Sequence, residues 1–275
     1  HDFLTFSARK FLTPFGLFRN RLHPAWIKKL PGKPFVYDSV SGGALVRSAE
    51  VGARLSGGFD AGPTKFNYAL FASNGPRLTT SGNNLGVLNF NNTDDTNKNK
   101  AVGGRLGFLP ISELELGGSF EYARVGPDQN PLRKIDAVLW GLDLSFNKDF
   151  NAIKGAIDIK AEYIKSQVDD ATYGAIVFHN NTRDGGYAQI AYRPSKINQK
   201  WVKNLEAVYR YDWINHPKAP NASLASSARQ FEDRQRYTIG LNYWLGPSTV
   251  MKFAYQDEVK GRLGGSFLLE WAMGF

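Results

Sequence analysis

The chain has 275 residues, no cysteine and a formal net charge of +9, from 34 lysine and arginine against 25 aspartate and glutamate residues. The absence of cysteine excludes disulfides, thiolate metal sites and a cysteine nucleophile. Aromatic residues make up 13% of the chain, yet mean hydropathy is negative. The sequence also contains no run of about 18 or more apolar residues, which excludes a helical membrane protein.

Apolar residues alternate with polar or small residues in about twelve segments, which predicts β-strands with one apolar face. Most segments approach the length of about 9–11 residues with which a tilted strand crosses a bilayer. The apolar positions are, in chain order, Leu4, Phe6, Ala8; Ala49, Val51, Ala53, Leu55; Phe66, Tyr68, Leu70; Val102, Leu106, Phe108; Leu114, Leu116, Phe120, Tyr122; Val138, Trp140, Leu142, Leu144, Phe146; Ile157, Ile159, Ala161, Tyr163; Ala188, Ile190, Tyr192; Leu205, Ala207, Tyr209, Tyr211, Trp213; Tyr237, Ile239, Leu241, Tyr243, Leu245; Met251, Phe253, Tyr255; and Phe267, Leu269, Trp271, Met273, Phe275.

Short and long links between these segments alternate along the chain. The short links are 57–63, 109–113, 147–154, 194–200 and 246–248, and the long links are 12–43, 73–99, 126–134, 167–184, 215–233 and 257–264. Bacterial outer-membrane barrels have short periplasmic turns and long outer loops. We therefore predict one all-β domain over residues 1–275, a transmembrane antiparallel up-and-down β-barrel of about twelve strands in the bacterial outer membrane.

The two ends of the chain carry further expectations. The last segment ends on the aromatic Phe275 and is predicted to descend to the periplasm and pair with the strand near His1. The first residues already alternate like a strand and show no signal-peptide features. We therefore expect that a signal peptide has been removed or that an upstream segment is missing.

Charged residues occupy the opposite, inward face of the predicted strands and are predicted to line a pore. Basic residues prevail on the first four strands and acidic residues on the next three, so opposing walls would set up a transverse field. The alternative is that opposite charges pair and fill a narrow interior. The predicted pore-lining residues are Arg9, Arg54, Lys65, Arg105, Lys160, Arg193, Arg210, Arg236, Lys252, Glu115, Glu121, Asp143 and Glu162.

The first long link, residues 12–43, is rich in proline, aromatic and basic residues. It is too apolar for a solvated loop, and its prolines break any long strand or helix. We predict that it folds into the lumen and narrows it with Arg19, Arg21, Lys28 and Lys29. An outer cap or a docking surface for a partner is the alternative.

The residues Arg9-Lys-Phe-Leu-Thr-Pro-Phe-Gly16 resemble the entry to the first long loop of bacterial porins. The chain is most similar there to the broad phosphate-selective porin-like (porin O/P-type) group, over roughly residues 6–37. The resemblance implies a general or anion-preferring diffusion channel, often trimeric. The chain departs from the phosphate-selective members in having about twelve predicted strands rather than sixteen and no dense series of inward arginines. Ligand residues of that group are therefore not carried over.

Catalytic and metal chemistry have little support in the sequence. His1, His23, His179 and His216 lie at the terminus or in predicted links without metal-ligand spacing. No predicted strand carries a histidine that could serve a membrane-facing Ser/His pair. We therefore expect no enzyme activity, no metal and no cofactor. No basic helix or stacking motif organises the positive charge for nucleic acid, so lipopolysaccharide phosphates are the expected partner of basic loop residues.

Two functions remain open from the sequence. The first is a porin for small hydrophilic solutes, set in the lipid bilayer of a Gram-negative outer membrane, with a mild anion preference conferred by the first loop. The second is a non-conducting scaffold or anchor barrel within a larger outer-membrane complex. The expected assembly is a homotrimer or a complex with partner proteins.

Overall fold

The computed structural model describes residues 3–38, 44–90, 98–128, 131–221, 231–261 and 264–274. Phe275, His1 and residues 39–43 of the first link lie outside these ranges. Twelve strands form the main sheet. In chain order they are β1 Thr5–Leu12, β2 Ala49–Ala61, β3 Thr64–Ser73, β4 Ala101–Ile111, β5 Leu114–Arg124, β6 Asp136–Phe150, β7 Gly155–Val168, β8 Asn181–Arg193, β9 Leu205–Asn215, β10 Arg234–Gly246, β11 Thr249–Lys260 and β12 Ser266–Met273.

Each strand pairs antiparallel with the next strand along the chain, from β1–β2 to β11–β12. This order confirms the predicted number of strands and their up-and-down succession. β1 and β12 are the two edges of the sheet over the described residues, so the predicted pairing of the last strand with the first is not present in the structure. Alternation tells which face a side chain occupies, whereas closure also depends on strand tilt and stagger, which the pattern does not encode.

The connections mostly follow the predicted alternation of lengths. Turns at 62–63, 112–113, 151–154 and 247–248 are short, while 13–48, 74–100, 125–135, 169–180 and 216–233 are long. The link after β11 is shorter than expected, because β11 continues to Lys260 and β12 begins at Ser266. The 194–204 link contains a short helix, Lys200–Lys203.

Two of the long links contain small hairpins that the sequence did not predict. Arg77–Leu78 pairs with Leu88–Asn89, and Ala171–Tyr173 pairs with Ile176–Phe178. Gly174 at the second hairpin's turn has φ +61°, a left-handed conformation that glycine adopts without a Cβ clash. These short ladders order the long links beside the end of the sheet from which they emerge.

The two faces of the sheet have opposite chemistry. Large apolar side chains are exposed on one face, with Phe267 86% and Leu269 69% exposed on β12. The other face carries buried charged residues such as Glu115, Asp143 and Arg210. Successive residues of a strand point to opposite faces, so the alternation in the sequence is the direct cause of this division.

The main hydrophobic cluster lies on the charged face, where residues of the first link pack with the sheet. Phe15, Phe35 and Tyr37 of the link are fully buried there, beside Leu139 and Ile164 of the strands. This cluster therefore attaches the link to the face that carries the predicted pore-lining residues. None of the helices among the described residues is long and apolar enough to span a membrane.

Candidate functional site

The first link turns back over the charged face immediately after β1. Pro14 and Gly16 end the strand, and Gly16 has φ +64°. A Cβ at Gly16 would lie 2.3 Å from both Glu162 Oε2 and Tyr37 Oη, so only glycine allows the turn to approach so closely. A short π-helix, Phe18–Leu22, and a 3₁₀ turn, Phe35–Tyr37, follow. Proline interrupts the intervening segment, which contains no longer element.

Glu162 on β7 is the central hydrogen-bond acceptor beneath the link. Its Oε1 accepts from the Phe18 backbone N–H at 2.6 Å and from Tyr187 Oη at 2.8 Å. Its Oε2 accepts from Tyr37 Oη. Burial, with Glu162 beside it, raises the pKa of Tyr37 well above its ordinary value, so the phenol stays protonated and donates. Glu162, predicted to line a pore, instead fixes the link to the wall.

Basic residues of β9 to β11 also bind the link, through its backbone carbonyl groups. Arg210 donates to Gly32 O at 3.0 Å, Arg236 donates to Lys33 O at 2.8 Å, and Lys252 donates to Ala25 O. All three basic side chains are buried. These residues therefore help to bind the link to the sheet, and their role in lining a pore stays a prediction.

One carboxylate orients two of these arginines. Asp212 accepts from Arg210 Nε at 2.9 Å and from Arg236 Nη2 at 3.3 Å. The backbone N–H of Phe35 donates to the same carboxylate at 3.1 Å, and the Arg236 guanidinium lies 4.1 Å from the Phe35 ring centroid. The charged groups thus compensate one another, as buried charges must.

The basic residues predicted for a constriction are mostly neutralised by the wall. Lys28 pairs with Glu270 at 2.7 Å and Lys29 with Glu206 at 2.5 Å. Arg19 is buried and donates to Tyr37 O at 3.0 Å. Burial lowers the pKa of Arg19. The link therefore lies against the charged face of the sheet, where Lys28 and Lys29 attach it. That it narrows a lumen, and that these basic residues select solutes, stay predictions.

A cavity of about 610 Å³ remains between the link and strands β1 to β4. Arg9, Arg54, Arg105 and Arg21 line it, together with Asn67. The structure thus brings together three predicted wall residues and one predicted loop residue. Asn20 and Lys10 also line the cavity.

The arginines of this cavity fall into two kinds. Arg105 is buried and bound to Asp143 Oδ2 at 2.9 Å and to Glu115 Oε1 at 3.0 Å, and Arg21 also pairs with Glu115. Arg9 and Arg54 have no ion pair with any described residue. The cavity therefore carries uncompensated positive charge on the β1–β2 side.

The other predicted wall residues lie apart from this cavity. Lys65 is exposed beside Asp60, with a nitrogen–oxygen distance of 3.7 Å. Arg193 is half-buried and donates to Lys203 O at 3.0 Å. Lys160 is buried and pairs with Asp158 at 3.0 Å. Glu121 is fully buried, and neither of its carboxylate oxygens has a hydrogen-bond partner among the described residues.

Sequence reasoning missed two aromatic residues of the charged face. Tyr187 on β8 and Trp244 on β10 both lie there, where Tyr187 binds Glu162 and Trp244 Nε1 donates to Glu206 at 3.2 Å. Both occupy inward positions of the alternation, among polar neighbours. A large aromatic residue at an inward position was the available signal, since it indicates packing against something inside.

The described residues contain no group of three or more histidine, aspartate or glutamate side chains arranged to hold a metal ion. His23 lies in the first link, where burial and the nearby Arg19 and Lys33 lower its pKa. His179 pairs with Asp170 at 2.7 Å on an exposed hairpin. The histidines of the described residues are therefore dispersed over separate parts of the structure.

The site is thus a charged sheet face partly covered by the first link, with a basic cavity left open at the side of β1 to β4. The resemblance to porins depends on residues 6–37 and stays a prediction. No protein-family model matches the chain, and no curated protein matches it.

Proposed function

We propose that the chain is a porin of the bacterial outer membrane, a diffusion channel for small hydrophilic solutes with a mild preference for anions. The observation that carries the proposal is the cavity beside the first link, where Arg9 and Arg54 lack acidic partners among the described residues. An anion entering the cavity would supply the missing counter-charge, while a cation would be repelled.

The chemistry of the two sheet faces supports a membrane setting. Side chains such as Phe267, Leu269 and Trp271 are more than half exposed on the apolar face. Such a face is unfavourable in water but suits lipid hydrocarbon. In this setting the charged face would lie toward the interior and line the proposed solute path beside the link.

Closure of the sheet is part of the proposal. An open strand edge in hydrocarbon leaves backbone N–H and C=O groups unsatisfied, each costing several kcal/mol. We therefore expect β1 and β12 to find strand partners in the membrane, most simply each other. Because the chain has no cysteine, single cysteines introduced along β1 and β12 provide a clean crosslinking test. Absence of any crosslink between the two strands in membranes would refute direct closure.

The outer links offer a surface for lipopolysaccharide. Arg133 and Lys134 are exposed in the link between β5 and β6, and phosphate groups of the outer leaflet are complementary to them. Association into a homotrimer, which the resemblance to porins implies, is also proposed. Crosslinking of intact membranes would report it as a band of three chains.

Planar-bilayer recording of the purified, folded protein tests the channel proposal. We expect stepwise conductance, with a reversal potential under a salt gradient that indicates a preference for chloride over potassium. Protein unfolded by heat before addition is the control and should give no steps. Conductance no greater than that of the empty bilayer contradicts the proposal.

A second candidate function is a non-conducting scaffold barrel. The specific observation in its favour is the firm attachment of the first link, through Glu162, Asp212 and the Lys29–Glu206 pair. A link held in this way could block passage and leave the barrel as an anchor. Purification of a stoichiometric protein partner together with the absence of conductance would favour the scaffold over the channel.

A further inference from the structure

A second cavity, of about 280 Å³, lies between the first link and strands β7 to β10. Its volume corresponds to about nine water molecules at roughly 30 Å³ each, close to the lower end of ligand pockets. It is separate in its chemistry from the basic cavity beside β1 to β4. Apolar groups prevail in its lining, although it lies on the charged face of the sheet.

Four aromatic side chains form much of the wall of this cavity. Phe18 and Trp26 come from the link, and Tyr187 and Trp244 come from the strands. Phe18 packs edge-on against Tyr187 with ring centroids 6.3 Å apart, and Lys29 lies 5.7 Å from the Trp244 ring. Flat aromatic surfaces of this kind bind flat, apolar ligand faces.

Two polar groups in the same wall lack protein partners. Asp158 is only 7% exposed, and its Oδ2 accepts from Lys160 at 3.0 Å and from Asn147 at 2.9 Å. Its Oδ1 is buried and has no partner among the described residues. Gln189 is 8% exposed, and its amide makes no hydrogen bond to the described residues. A buried acceptor without a donor is unfavourable, so Asp158 Oδ1 calls for a ligand with a hydroxyl group. The Gln189 amide lines the same cavity and can exchange hydrogen bonds with a second hydroxyl group.

The charges around the cavity compensate one another. Lys28 and Lys29 pair with Glu270 and Glu206, and Lys160 pairs with Asp158. A ligand there meets almost no net charge, in contrast to the basic cavity. The chemistry therefore favours a neutral molecule with a flat apolar face and a rim of hydroxyl groups.

The geometry points to a binding site for a neutral pyranose monosaccharide. The C–H face of the ring lies against Trp26 or Trp244, one hydroxyl donates to Asp158 Oδ1, and another exchanges hydrogen bonds with the Gln189 amide. The inference rests on the proposed porin function, since it names one class of hydrophilic solute that is held during passage. The volume accommodates one sugar ring and excludes longer saccharides from the closed part of the site.

Isothermal titration of the detergent-folded protein with D-glucose, D-galactose and D-mannose tests the site without any need for conductance. We expect saturable heat with at least one of these sugars and a Kd of about 1 mM, as suits a single-ring ligand. Tetrahydropyran, a neutral six-membered ring without hydroxyl groups, should give no saturable heat. Saturation with tetrahydropyran alone, or with none of the sugars, overturns the inference.

Matched variants locate the binding in the cavity. Trp244→Ala and Asp158→Asn should each weaken sugar binding about tenfold or more, by loss of an aromatic wall or of a charged acceptor. Trp201→Ala is the control, because Trp201 is 63% exposed on the Lys200–Lys203 helix. Unchanged affinity in Asp158→Asn, with the folded state verified by gel mobility, contradicts the assignment.

The two proposals fail in different ways. Sugar binding without conductance would contradict the proposed channel function and support the proposed sugar site. Conductance without sugar binding, or sugar binding unaffected by the cavity variants, would contradict the proposed sugar site and leave the proposed channel function standing.

Discussion

The charge balance of the basic cavity leads to a quantitative prediction of ion selectivity. Arg105 and Arg21 share the cavity edge with Asp143 and Glu115, so these four charges cancel. The remaining positive charge of the cavity on the inward face of β1 and β2 comes from Arg9 and Arg54. We predict that the variant with both Arg9→Gln and Arg54→Gln loses most of the anion preference.

The magnitude follows from simple electrostatics. A unit charge attracts a monovalent anion at about 4 Å by about 1 kcal/mol in water. Two guanidinium groups therefore contribute about 2 kcal/mol, and every 1.4 kcal/mol corresponds to about tenfold. This is an upper limit, because Arg9 is exposed and salt screens both charges, so the ratio of anion to cation permeability should fall by about threefold, close to that of a non-selective channel.

The assay is the reversal potential of single channels under a potassium chloride gradient. Lys196→Gln is the matched control, because Lys196 is exposed in the turn after β8, where it donates to Asn151 at 2.8 Å. The difference between the double variant and the wild type should diminish at about 1 M salt, where charges are screened within about 3 Å.

Two results would refute this reasoning. A wild-type channel that prefers cations would show that the cavity is not on the conducting path. A reversal potential unchanged by the double variant, with conductance intact, would place the selecting charges elsewhere.

Three further predictions concern stability and the first link. Replacing Arg105 with methionine leaves Asp143 buried without its guanidinium, so we expect a loss of about 3–5 kcal/mol, measured as a lower temperature at which the folded band disappears on semi-native gels. Glu206→Gln weakens the hold on Lys29 and should give larger or more variable single-channel conductance in bilayers; identical conductance traces would contradict the anchoring role. Burial lowers the pKa of His216 to about 4 from 6.5. Because the unfolded chain then binds the extra proton, stability should decline as pH falls from about 6.5 toward 4, by up to about 3 kcal/mol. His216→Gln should reduce this slope in urea unfolding, and an unchanged slope would argue against a buried neutral imidazole.

The strands could be predicted from the sequence because their signal is local. Phe267, Leu269 and Trp271 alternate with small or charged residues, and side chains on one strand face point the same way whatever the rest of the fold does. The same rule placed Glu115 and Arg210 on the opposite face, where both are buried. Whether the sheet closes could not be predicted from alternation, because closure depends on the tilt and stagger of all twelve strands.

The chemistry of the site could be predicted only in part, because the separation of two charged residues in the sequence does not tell whether they pair in the folded chain. Lys28 and Glu270 are 242 positions apart, so no local sequence pattern indicates that they form an ion pair. The sequence pattern predicts Lys28 as a free cation of a constriction, whereas Arg9 and Arg54, predicted only to line the pore, are the basic residues without an acidic partner among the described residues. Trp244 carries no charge, so only the size of its ring at an inward position indicates that it packs against the first link.

The neighbour-to-neighbour order of the strands bears on how the protein is assembled. Every ladder joins two segments that follow each other in the chain, so each hairpin can form with little loop-closure entropy, without waiting for distant segments. β1 and β12 are the shortest strands of the main sheet, with eight residues each, and they form its opposite edges. Any ladder that joins them requires the most distant contact in the sequence and offers the fewest hydrogen bonds. If the two edges pair in the membrane, as proposed, their junction is formed after the other ladders and is the first place at which a hairpin of another chain could be exchanged.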